Sequence, residues 1–258
     1  MRHAAAVYRR FLGAHCRSML EYPADFWVMA STGTIWQVIQ FGFLAILFAN
    51  VNAIGGWGYH EMLVLAGFIA VATAMNAIFW DGMWGLGKQV INGGMDYMVT
   101  GPAPVAFQLG AGHVGMQAFG EITLGLAMLV YGWVGAGLSI AMIPVAAGLL
   151  VFAVVIENAL LTAANFWIEG HSPVAAFMMV DMRGEVMRFP LTMFPIVVRL
   201  LLTFGLPFAF ASFILVRILT EQVSAWWLIG PPVAAAVAVA LAAWGFRAGL
   251  RACESAGH

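Results

Sequence analysis

Charge is what this chain has least of. Of its 258 residues only 9% are Asp, Glu, Lys or Arg, and the net charge is −1. Soluble domains carry about 25% charged residues, so an ordinary soluble fold is excluded, and no basic excess is left for nucleic acid. Cysteine is nearly absent. Cys16 and Cys253 lie near opposite termini and build no disulfide framework. The six histidines, at positions 3, 15, 60, 113, 171 and 258, are scattered without metal-ligand spacing. His60-Glu61 opens like a zinc-protease helix, but Val64 stands where the second histidine is needed. A nucleotide loop is missing too. Gly85-x-Gly87-Lys88 lacks the four-residue spacer, and Gln89 replaces the hydroxyl residue that would hold magnesium. Neither an internal repeat nor a low-complexity linker is visible.

What is abundant is apolar. Hydrophobic residues make up 63% of the chain, with mean hydropathy +0.92. A bilayer core about 30 Å thick needs about 20 apolar residues as a helix, and six stretches meet that length. Residues 26–50 carry no charge, and 62–80 lies between Glu61 and Asp81. Stretch 107–133 is interrupted only by Glu121, and 140–167 only by Glu157. Stretch 191–216 contains the single charge Arg199, and 224–246 contains none. The expected fold is all-α and integral to the membrane, with 1–258 forming one transmembrane domain.

Residues 1–23 do not read as a signal peptide, because Arg2, Arg9, Arg10 and Arg17 leave no continuous apolar core. Tyr8, Leu12, Cys16 and Met19 recur at helical spacing with the arginines on other faces. That pattern predicts an interfacial helix over 1–24, closed by Tyr22-Pro23, with Asp25 capping the first span. The basic residues at both ends and Lys88 put both termini in the cytoplasm of a plasma (inner) membrane. The loop 51–60 then lies outside, and 81–106 inside. Within the inner loop a glycine pair precedes Asp96, which can cap a short helix that Gly101-Pro102 closes.

Two stretches resemble the permeases, or membrane subunits, of ABC-2-type ABC transporters, particularly permeases of this length encoded beside a separate ATPase. The first is Gly93-Gly94-Met95-Asp96-Tyr97-Met98-Val99-Thr100-Gly101-Pro102, where Val99 stands in the place usual for leucine. The second is Phe189-Pro190-Leu191-Thr192-Met193-Phe194-Pro195, continuing through Arg199 to Leu206-Pro207-Phe208-Ala209-Phe210. The resemblance implies a six-helix exporter half that pairs with a second copy, or with a similar permease, around a central pathway. It implies a cytoplasmic ABC ATPase docked on the coupling loop 84–105 through Gly93, Asp96, Tyr97 and Pro102. ATP and Mg would be bound by that partner, and no cofactor by this chain. It also implies that the paired prolines open an outer re-entrant hairpin over 189–222, after a fifth span near 170–188. Hydropathy instead makes 191–216 the fifth span and leaves the Asp181, Arg183, Glu185 and Arg188 cluster in the cytoplasm.

Glu121, Glu157 and Arg199 fall inside apolar stretches, where such groups usually face a bundle interior or a water-filled cavity. They are candidates for the pathway or for structural pairing, as are Asp181 and Arg183. One rival reading is an ion-coupled secondary transporter using Glu121 and Glu157, which calls for an inverted repeat. An intramembrane enzyme would need catalytic groups paired at one depth, and no such constellation is present in the sequence.

Overall fold

The computed structural model describes residues 2–86, 89, 94–101, 103–164, 187–205, 207–220 and 224–252. The described residues are mostly helical, with a single isolated bridge between Ile54 and Trp57. Helix α1 (Arg2–Glu21) stops before Tyr22-Pro23, since proline restrains the residue before it and carries no N–H. Pro23 opens α2 (Pro23–Asn50), where that missing donor costs nothing. Asp25 lies inside this first turn and makes no capping hydrogen bond, so the expected Asp25 cap is not formed. The packed face of α1 keeps Tyr8, Leu12 and Met19 of the expected stripe and takes His15 in place of Cys16. His15 is half-buried with Tyr8 and Leu12, Met19 is buried, and Cys16 is exposed. The Tyr8 hydroxyl donates to the Phe79 carbonyl, and its ring lies 6.0 Å from Trp80 and 6.2 Å from Phe107. Burial there pushes the Tyr8 phenol above its ordinary pKa.

Gly55 and Gly56 turn the next loop at φ +58° and +90°, values that favour glycine. Helix α3 (Tyr59–Trp80) follows and is the centre of the bundle, buried around most of its circumference. Stretch 107–133 is not one helix. It divides into α5 and α6, after a short α4 (Gly94–Val99) in the preceding loop. Helix α5 (Val105–Gly110) ends in a glycine-rich turn, and α6 (Ala118–Gly135) runs back along α3. Gly110, Gly112 and Gly115 are poor helix formers, and the Gly115 N–H donates instead to the Ala77 carbonyl at 3.0 Å. Glycine also sets the contact of α6 with α3, because a Cβ on Gly132 would meet the Val64 nitrogen at 2.8 Å. Helix α7 (Ile143–Ala164) packs against another side of α3.

The continuous helix that hydropathy expects over 191–216 does not form. A tight turn at Leu191–Met193 leads into α8 (Ile196–Leu200) and a wide turn at Leu201–Gly205. Another tight turn at Pro207–Phe210 then precedes α9 (Phe213–Leu219). The two halves meet at a bend of 72°. Pro190 and Pro195 each stand just before one of these segments and Pro207 starts another, where a missing N–H does least damage. Helix α10 (Gly230–Ala252) completes the bundle against α7.

The bundle has two ends. At one, α1 lies with the last turn of α3, the α4–α5 loop and Phe246 of α10, which packs with Met83 and Leu109. At the other lie the loop 51–58, the turn at Gly137 and the segment from Pro190. Thr192 Oγ1 donates to the Gly55 carbonyl at 2.9 Å, and Phe213 stacks on Trp57 at 5.1 Å. Five helices of the described residues are long and apolar enough to cross a bilayer, or six if the bent pair counts as one.

Candidate functional site

A cavity of about 370 Å³ opens between α2, α3 and α6, level with the middle of α2 and α3. Helix α2 is charge-free over this stretch, but it turns Gln37 and Gln40 to this side together with Trp36 and Phe43. Thr73 comes from α3, and Glu121 from the first turn of α6. Arg188 and Phe189 close it from the chain just before Pro190. The Arg188 guanidinium sits 5.4 Å from the centre of the Trp36 ring, a cation–π distance.

Close approach of the helices is what sets Glu121 here. A Cβ on Gly120 would meet the Thr34 nitrogen at 2.6 Å, so α6 seats its first turn directly on α2. The side chain one residue later is then left at the rim of the gap between them. The lining combines aromatic faces with two amides, a hydroxyl, a carboxylate and a guanidinium. A volume of this size and such a mixture suit a small amphiphile. It offers no paired nucleophile and base, and no cluster of three metal-ligating side chains occurs among the described residues.

Glu157 does not line this cavity; it is 0% exposed on α7. Arg199 is half-buried at the end of the bundle that holds the loop 51–58, where its guanidinium donates to the carbonyls of Phe194 at 3.3 Å and Thr192 at 3.4 Å. Its partners are backbone oxygens of the turn before α8, not a carboxylate. Asp181 and Arg183 lie outside the described residues, as does the fifth span expected over 170–188 apart from Met187 and Arg188.

In the coupling loop, Asp96 and Tyr97 fall within α4, and Tyr97 is 83% exposed. Gly93 and Pro102 lie outside the described residues. Sequence reasoning missed Gln108, whose amide donates to the carbonyls of Met98 (2.9 Å) and Ala103 and so ties α4 to α5. It missed the pair of His113 Nδ1 with Asp81 Oδ2 at 2.7 Å, which joins the glycine-rich turn to the end of α3. It also missed Trp80, whose indole N–H donates to Thr162 Oγ1 at 3.3 Å while its ring meets Tyr8 and Phe107. No signal in the sequence joins these partners, which lie 5 to 82 residues apart.

A family whose description is "ABC-2 family transporter protein" matches residues 34–257, close to the whole chain. No curated protein and no solved structure matches it. The matched region includes every residue that lines the cavity, the α4–α5 loop and the proline-rich bent segment. With several apolar helices able to span a bilayer and a family model over nearly its full length, this chain belongs to the ABC-2 family of transporter membrane proteins.

Proposed function

We propose that the chain is the membrane half of an ATP-driven exporter, one transmembrane permease domain working as a dimer with a second copy or a similar permease. A separate cytoplasmic ABC ATPase would bind ATP and Mg and drive it. Both termini and the α1 end would face the cytoplasm from the inner membrane, consistent with the basic residues of α1 and with Arg247 near the end of α10. The carrying observation is the mid-depth cavity with Glu121, Gln37, Gln40 and Trp36 on the side of α2. In this reading it is one wall of the pathway, and the second half supplies the other.

The α4 segment is the coupling element. Tyr97 projects from it into solvent, and Gln108 joins it to α5, so a push on α4 reaches the turn that holds α3 and α6 together. The bent segment 189–222 is read as an outer re-entrant hairpin. Thr192 and Phe213 would lie about 31 Å apart along one helix, whereas each touches the same short loop, at Gly55 and Trp57. The ion-coupled alternative finds less support, since Glu157 is buried away from the cavity that Glu121 lines.

The test is the complex with its ATPase, reconstituted in lipid. Asp96→Lys and Tyr97→Pro are expected to leave a folded, inserted permease that no longer retains the ATPase or stimulates its hydrolysis. Normal retention and hydrolysis in both variants would remove this loop from the mechanism, and absence of any associated ATPase would remove the proposed energy source.

A further inference from the structure

The outward face of α1 is not used by anything described so far. Ala6, Arg9, Arg10, Gly13, Ala14 and Arg17 border a shallow groove of about 510 Å³ along it. The residues recur every three or four positions, the spacing of one helix face, and all six are exposed. Tyr8, Leu12, His15 and Met19 occupy the reverse side against the bundle. An ordinary interfacial helix would bury its apolar stripe in the membrane. Here that stripe is spent on protein, and the arginines look away from it.

None of the three guanidiniums has an ion pair with a described carboxylate. Gly13 lies between them, one turn from Arg9 and Arg10 and one from Arg17, and a Cβ there would meet nothing within 4 Å. A small anion could therefore rest near the helix backbone with guanidinium forks on either side, the geometry that arginine offers to phosphate.

The level of the helix decides the source of that anion. Tyr8 touches Phe79 and Trp80, the last residues of the spanning α3, and only Tyr22 separates α1 from α2. The groove thus lies where the spans leave the hydrocarbon, at headgroup depth. We propose that Arg9, Arg10 and Arg17, with Gly13 as the floor, bind the phosphodiester headgroup of an anionic phospholipid and fasten α1 to the membrane surface. The site is independent of what the protein transports.

The test uses the full chain, purified in mild detergent and titrated with short-chain phosphatidylglycerol or phosphatidylcholine, with bound lipid read by native mass spectrometry. Wild type is expected to retain phosphatidylglycerol in preference, more weakly as salt rises. Each arginine replaced by alanine should lower that preference roughly fivefold. Gly13→Leu keeps every charge yet fills the groove, and is expected to lower it as well. Unchanged preference in the Arg9→Ala, Arg10→Ala, Arg17→Ala triple variant, or in Gly13→Leu, would overturn the site. Displacement of the lipid by glycerol phosphate at equal concentration would make it a soluble-anion site and also overturn the proposal. So would a triple variant that keeps its lipid but loses a bound ATPase, since the face would then serve a protein.

Discussion

A Cβ added at Gly67 would meet the Leu129 nitrogen at 2.6 Å and the Gly125 oxygen at 2.8 Å. Both are backbone atoms of α6, so neither can swing aside as a side-chain tip would. Small residues are what let membrane helices approach this closely. Gly67→Val is therefore expected to push α6 from α3 and to lower stability by about 1–3 kcal/mol, the usual cost of overpacking. Gly148 on α7 has open space around its missing Cβ, and Gly148→Ala should leave the thermal midpoint in detergent within experimental scatter. Equal midpoints for the two variants would mean that α3 and α6 are not locked by their backbones. Arg199 gives a second case. Its guanidinium serves the carbonyls of Thr192 and Phe194, and a donor in its place is what those oxygens need. Arg199→Leu should expose the turn at 190–194 to faster hydrogen exchange, and Arg199→Gln should restore part of the protection. Identical exchange in both variants would show that the side chain does not hold the turn.

Between elements, the tie from Gln108 to Met98 and Ala103 joins α4 to α5, beside the packing of Met98 on the cluster around Met83 and Leu109. Gln108→Leu is expected to raise hydrogen exchange across Gly94–Val99 while leaving the protection of α3 and α6 unchanged. If exchange in α3 rose as much, α4 would not be a separately hinged element. Hydropathy could not reveal this level of organisation. It sums side chains over a window, so 107–133 reads as one apolar run although Gly110, Gly112 and Gly115 let the backbone turn back. The same sum makes one helix of 191–216 and is blind to the donors that Pro190, Pro195 and Pro207 lack. What was legible is what a window does measure, and the first two spans came out within three residues of α2 and α3 at each end. The cavity was less so. Glu121 stood out as a charge in an apolar run, whereas Gln37, Gln40 and Thr73 look unremarkable until three helices bring them together.

At the scale of the molecule, the course of the chain between α7 and α10 decides the topology. Thr162 at the end of α7 lies with Trp80 at the α1 end, and Gly230 at the start of α10 lies against Phe210 in the bent segment. The bent segment touches the loop 51–58 at both Thr192 and Phe213. A re-entrant hairpin requires residue 192 to face the same compartment as residue 52, while a single span over 191–216 puts it in the other. Single cysteines decide between these in a background lacking Cys16 and Cys253. Asn52, Thr192, Trp226 and Tyr97 are all exposed, so each can be replaced without opening the core. With an impermeant thiol reagent on intact cells, cysteines at 52, 192 and 226 are expected to react together, and one at 97 only after the inner face is opened. Labelling at 192 that follows 97 instead of 52 would make the bent segment a crossing, and would move the charge cluster before it to the cytoplasmic side.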